Sequence, residues 1–244
     1  MNRAATSNKD GLMDIILNGL IKAFGLILSF DRELYAIILL SLRVSVLAVV
    51  ISTVLGVPVG ALCALRRFPG RGIIITLLNT FMGLPPVVAG LVVYLFLSRS
   101  GPLGFLGLLY TPSAMVIAQS VIAFPIVAAL TWSSVSSVRP AVRETAITLG
   151  ASPVMVDWRV VCEARLGVYS AVIAGFGRTM AEVGAVLIVG GNIVGYTRVM
   201  TTAIAMETGK GSFELAIALG VILLAISFMV NALLRLAQGK GGVV

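Results

Sequence analysis

From Leu34 to Leu65 the chain carries one charged side chain, Arg43, and further apolar runs follow at 72–97, 112–132, 166–190 and 213–236. A helix that crosses the hydrocarbon core of a bilayer needs roughly 20 mostly apolar residues, and each of these runs is long enough. A soluble domain is about 25% charged, whereas this chain is 11% charged and 59% hydrophobic, with a mean hydropathy of +1.07. It lacks the polar groups to clothe a surface in water. The expectation is an all-α, polytopic membrane protein with about five transmembrane helices.

The net charge of +8 does not point to nucleic acid, because no dense basic run is interleaved with aromatics. Basic residues in a membrane protein collect in its cytoplasmic loops. Arg66, Arg67, Arg71, Arg139, Arg143, Arg159, Arg165, Arg235 and Lys240 fall on one side of the runs, and Arg32, Arg99, Arg198 and Lys210 on the other. Nine against four puts the stretch 133–165 in the cytoplasm and Leu34 outside. The sequence holds no histidine and only Cys63 and Cys162. This removes a His-based triad, a His-ligated metal, a CxxC site and a disulfide framework. A membrane-embedded hydrolase would need a nucleophile–base pair or metal cluster that the runs do not supply.

Residues 1–33 read as a polar tail and an amphipathic helix, and 34–244 as one transmembrane domain. Within 12–30, Asp14, Asn18, Lys22, Gly25 and Ser29 step by three or four and share a face. An interfacial helix is the first reading and a full crossing the second, since Asp and Lys are costly at mid-bilayer. Arg3 and Lys9 precede this stretch, but Asp10 and Asp14 interrupt it, unlike a signal peptide.

The stretch 133–165 is long for a connection and therefore a functional suspect. It reads as two short helices. Val138–Leu149 has Pro140 in its first turn, Gly150 as its stop, and a restart with Ser152 as cap and Pro153 at the first helical position. Glu144-Thr145-Ala146-Ile147-Thr148-Leu149-Gly150, with Val160 further on, resembles the "EAA" loop of binding-protein-dependent ABC importer permeases. That loop reads Glu-Ala-Ala, three residues, Gly, nine residues, Ile, one residue, Leu-Pro. Thr145 replaces the first Ala, and Cys162-Glu163 replaces Leu-Pro.

The likeness extends from Leu34 to Leu236. It includes the segments Asn79–Val88, Leu97–Gly104, Cys162–Arg165, Ala181–Ala185 and Gly190–Arg198. It is similar to the tungstate-type branch, beside the molybdate and sulfate permeases. The resemblance implies an ABC importer permease fold of the molybdate/methionine kind, in a bacterial or archaeal cytoplasmic membrane. It implies a homodimer bathed in lipid, two ATPase subunits and an extracytoplasmic oxyanion-binding protein. It makes Glu144, Thr145, Ala146, Leu149, Gly150 and Ala151 the loop that docks on the ATPase. The chain has no GxxxxGK[ST] loop, since Gly209-Lys210-Gly211 lacks the upstream glycine and the following Ser or Thr. ATP and magnesium are accordingly expected on the partner, with no cofactor or metal on this chain and no chemistry performed by it.

Candidate pathway or gate residues are the polar and helix-breaking ones inside the runs. Arg178 and Glu182 are spaced i,i+4 and either pair with each other or serve the pathway. Arg43 either attracts an anion or snorkels to headgroups. Asn79, Pro85 and Pro86 mark a polar, broken patch, facing a pathway or simply kinking the helix. Asn192, after Gly190-Gly191, closes the fourth run. Gly56 and Gly60 form a GxxxG pair, read as helix packing.

Overall fold

The computed structural model describes residues 17–25, 28–29 and 32–237, and among these no strand occurs. Helix α1 (Arg32–Leu65) and α4 (Pro112–Ser136) form the central pair. Their close approach is written in glycine. A Cβ on Gly60 would collide with the Ala128 carbonyl, and one on Gly56 would sit 3.2 Å from the Ala128 nitrogen. The GxxxG reading therefore holds. Two interhelical hydrogen bonds add to the contact: the Ser52 hydroxyl donates to the Ser120 carbonyl at 3.1 Å, and the Ser120 hydroxyl reaches the Ala48 carbonyl at 3.4 Å. In lipid, where apolar burial gives helices no net attraction, small residues and such bonds hold them together. The start of α4 is set by Pro112 at its first position and by the Thr111 hydroxyl, which accepts the Ala114 N–H.

The run 72–97 is not one helix. It divides into α2 (Arg71–Met82) and α3 (Pro86–Leu97), whose axes turn by 108°. Pro86 forces its predecessor out of the helical region, and Pro85 takes φ −61°, ψ 126°. Pro85 thus caps α3 from outside and Pro86 begins it. Each half is about 18 Å long, short of the roughly 30 Å core, and the two cannot both run along the bilayer normal.

The run 166–190 is also broken, into α7 (Arg165–Met180) and α8 (Gly184–Gly190), with Ala181–Val183 between them. The stretch between this run and the next contains a further helix, α9 (Met200–Gly209), before α10 (Phe213–Ala237). Helix α3 packs against α8 almost backbone to backbone: a Cβ on Gly90 would lie 2.6 Å from Ala185 Cα. A core of Val44, Ala89, Val93, Met115, Ile122 and Val186 joins α1, α3, α4 and α8.

By length and composition α1, α4 and residues Phe213–Leu233 of α10 each suffice to cross a membrane. Two bent pairs, α2 with α3 and a second that includes α7, bring the total to as many as five among the described residues if each pair counts as one span. The second pair joins α7 to the helix preceding it at 59°, not to α8. The amphipathic stretch 12–30 lies partly outside the described residues. Residues 17–25 are helical, with Gly19 and Ala23 buried and Asn18, Lys22 and Gly25 exposed, and Ser29 is exposed as well. Gly19 sits against Ile217, and Lys22 lies 4.0 Å from Glu214, near the start of α10.

Candidate functional site: the helical knob and the broken helices

Between α4 and α7 the chain forms α5 (Pro140–Thr148) and α6 (Pro153–Glu163). Pro140 and Pro153 occupy first-turn positions, and Ser152 is the cap residue of α6, although its hydroxyl makes no capping bond. The turn between the helices is fixed by Gly150 at φ +79°. The Gly150 N–H donates to the Ile147 carbonyl at 2.9 Å and the Ala151 N–H to the Ala146 carbonyl at 3.0 Å. These two bonds are the closure of a Schellman motif. Nothing lies within 4 Å of where a Cβ at Gly150 would be, so the backbone angle, not crowding, requires glycine here.

The knob is fastened on one side. Arg66 Nη2, just past α1, donates to Asp157 Oδ2 at 2.5 Å. Val160 and Ala164 pack on Val135, Ala64, Leu65 and Val138. The other side is open. A groove of about 1230 Å³ runs between the knob and the ends of α4 and α7, bordered by Ser133, Ser137, Thr145, Arg159, Glu163 and Gly167.

The tip of the knob carries apolar side chains in the open: Leu149 is 82% exposed, Val154 74% and Trp158 69%. Glu144, Thr145 and Gly150 are exposed beside them, and Ala146 and Ala151 are half-buried. All six sequence-assigned loop residues therefore sit on one small projection. An exposed apolar patch on a rigid support marks an interaction surface. The sequence reading missed Trp158, Val154 and the Arg66–Asp157 link. The first two were visible in principle, as large apolar residues out of register with the buried Val156 and Val160.

The residues singled out inside the runs separate into two groups. Arg43 and Asn79 are exposed on the single chain, as is Pro85, while Pro86 and Arg178 are half-buried. Glu182, by contrast, is buried. The i,i+4 pairing of Arg178 with Glu182 does not form: α7 ends at Met180, so Glu182 has left the helix on which that spacing depends. The Glu182 Oε1 instead accepts the Ala185 N–H at 2.9 Å, in the first turn of α8. Arg178 has no ion-pair partner among the described residues. Asn192 takes φ +51°, and its Nδ2 contacts Met206 Sδ at 3.4 Å. Nearby, Arg198 lies 3.9 Å from Glu33. Among the described residues no cluster of His, Cys, Asp or Glu could hold a metal ion.

With this geometry in view, the model of the binding-protein-dependent transport system inner membrane component matches residues 56–240. The chain belongs to this family. The tungstate uptake system permease protein TupB of Peptoclostridium acidaminophilum is 42% identical over 226 residues, 93% of this chain and 99% of that one. The protein of the same name from Campylobacter jejuni is 34% identical over 219 residues, 90% of this chain and 92% of its own. Among solved structures, a chain of the MetNI methionine ABC transporter in inward-facing conformations superposes with a TM-score of 0.66. It is 18% identical and covers 87% of this chain and 95% of that one. The fold is that of ABC importer permeases, a multi-pass membrane protein, as the resemblance implied.

Proposed function

We propose that this chain is the membrane-spanning permease subunit of an ATP-driven, binding-protein-dependent importer, and that its cargo is tungstate. The observation that carries the importer reading is the knob, an apolar projection braced against α1 and α4 and offered to the cytoplasm. A projection of this kind suits a groove on a separate ATPase. Closure of two ATPase subunits around ATP and magnesium would draw two knobs together, and the bracing would pass that motion to the spans. The similarity to two tungstate uptake permeases supports the cargo.

Energetics support ATP coupling. Tungstate is a dianion, and inward movement against an inside-negative potential costs about 2.3 kcal/mol per charge per 100 mV, roughly 5 kcal/mol for two charges. A passive pore would not accumulate it. Arg178 supports a homodimer around a central pathway. An arginine in a span without a carboxylate partner is expensive against lipid, and a second copy or a water-filled path on that face removes the cost. Arg43 and Asn79, exposed on the single chain, are assigned to the same path. An extracytoplasmic oxyanion-binding protein delivers the cargo.

The test is ATP-dependent uptake of labelled tungstate, molybdate and sulfate into vesicles holding this chain, its ATPase and its binding protein. Tungstate uptake well above molybdate supports both importer and cargo. Uptake of molybdate or sulfate instead replaces the cargo. No uptake of any oxyanion, with the ATPase bound and active, removes the oxyanion assignment.

A further inference from the structure

Three helix ends meet at one buried point. Helix α7 runs about 24 Å from the knob before it stops at Met180. There Gln119 of α4, 4% exposed, donates from Nε2 to the Thr179 carbonyl at 3.1 Å. Three residues on, Glu182, 3% exposed, uses both of its ends. Its carboxylate accepts the Ala185 N–H in the first turn of α8. Its backbone carbonyl accepts the Thr201 hydroxyl, at the start of α9, at 2.8 Å. Next to Thr201, the Met200 N–H donates to the Ser41 hydroxyl of α1 at 2.9 Å.

The connectivity gives this junction its meaning. The knob hangs between α4 and α7, so any movement of the knob is applied to the cytoplasmic ends of these two helices. Gln119 ties α4 to the end of α7 that is away from the knob. Because the chain breaks after Met180, no helical hydrogen-bond ladder joins α7 to α8, and the bonds made by Glu182 at the break add to the packing of α8 on α3 and α4 and to the Met200–Ser41 bond. A cavity of about 10 Å³ at this junction, bordered by Ser41, Ser45, Gln119, Thr179 and Thr201, is about the smallest space that takes one water.

We infer that Glu182 is a positioning residue for transport: its carboxylate holds the start of α8 at the break after α7, where the backbone carbonyl of the same residue holds the start of α9, so that knob movement is passed across the break. This deepens the importer reading and rests on it. A carboxylate buried among apolar helices is costly unless hydrogen-bonded, and its persistence here is accounted for by an acceptor that must span the break.

The experiment uses the reconstituted complex of this chain with its ATPase and binding protein, measuring tungstate uptake and ATP hydrolysis in the same vesicles. Glu182→Ala is expected to keep hydrolysis within about twofold of wild type and to lower the uptake-to-hydrolysis ratio at least tenfold. Glu182→Gln retains a carbonyl oxygen for the Ala185 N–H and is expected to restore the ratio to within about threefold of wild type. Thr201→Val, which deletes the hydroxyl donor at nearly constant shape, is expected to lower the ratio in the same direction. It decides the matter if the alanine variant fails to assemble. An unchanged ratio in both Glu182→Ala and Thr201→Val overturns the inference. So does a glutamine variant as impaired as alanine, because the charge rather than the hydrogen bond would then be the working feature. Failure of the wild-type complex to take up any oxyanion overturns the importer reading itself, and is separate from either result.

Discussion

Replacement of Gly150 tests the docking knob most directly, because its cost can be worked from the backbone alone. The residue sits at φ +79° with open space where a Cβ would go. A side chain there meets no neighbour but pays the left-handed penalty, roughly 1–2 kcal/mol for an ordinary L-residue. Free in solution, an alanine variant escapes this cost by opening the turn and giving up the bonds from Gly150 and Ala151 to Ile147 and Ala146. Docking requires the closed turn, so the same 1–2 kcal/mol reappears as weaker binding to the ATPase, a factor of about 5–30. Asparagine tolerates this region and should bind within about threefold of wild type. The assay is the dissociation constant between the ATPase and the permease in lipid nanodiscs, with stimulation of ATP hydrolysis as a second readout. Gly150→Asp then isolates the partner's groove, because it matches asparagine in shape and adds a charge. If Gly150→Ala binds as wild type, or Gly150→Asn loses as much as Gly150→Ala, the turn geometry is not what the ATPase reads.

Trp158→Ala and Leu149→Ala remove exposed apolar surface, and should lower ATPase affinity while leaving the thermal midpoint of the detergent-solubilised permease within about 2 °C. Gly60→Ala places a methyl against the Ala128 carbonyl and should destabilise the α1–α4 pair by about 1–3 kcal/mol. Gly72→Ala, where nothing lies within 4 Å, should be silent in the same unfolding measurement. The Arg66–Asp157 pair has one partner half exposed, so a double-mutant cycle should give a coupling of only about 0.2–1 kcal/mol. A swap, Arg66→Asp with Asp157→Arg, should recover part of the ATPase stimulation that either single change loses.

The knob was legible because its signals are local. Pro140, Gly150 and Pro153 each act on their own turn, whatever surrounds them, and the structure places the helix ends within two residues of where they were expected. The division of the runs was less legible. Pro85-Pro86 announced a disturbance within 72–97, but a kinked crossing and a turn of 108° share the same sequence. The break after Met180 carries no proline at all. Ala181-Glu182-Val183 is compatible with a helix, and the i,i+4 pairing of Arg178 with Glu182 assumed that the helix continued. Likewise the helix at 200–209 lies outside the expected runs, because the glycines at 191, 195, 209 and 211 dominate its surroundings.

By itself, then, the sequence determined the solvent of this protein and the shape of the helical projection between α4 and α7. Composition and single-turn preferences are enough for these. Only the tertiary structure decided where α7 stops, which donors Glu182 accepts from, which carbonyl Gln119 serves, and that Arg178 has no carboxylate partner among the described residues. Hydropathy is equally high for a segment facing lipid and for one folded back against another helix. The direction of the chain at such a point is set by the close approach of Gly90 to Ala185 and by hydrogen bonds between residues far apart in sequence, which no local pattern records.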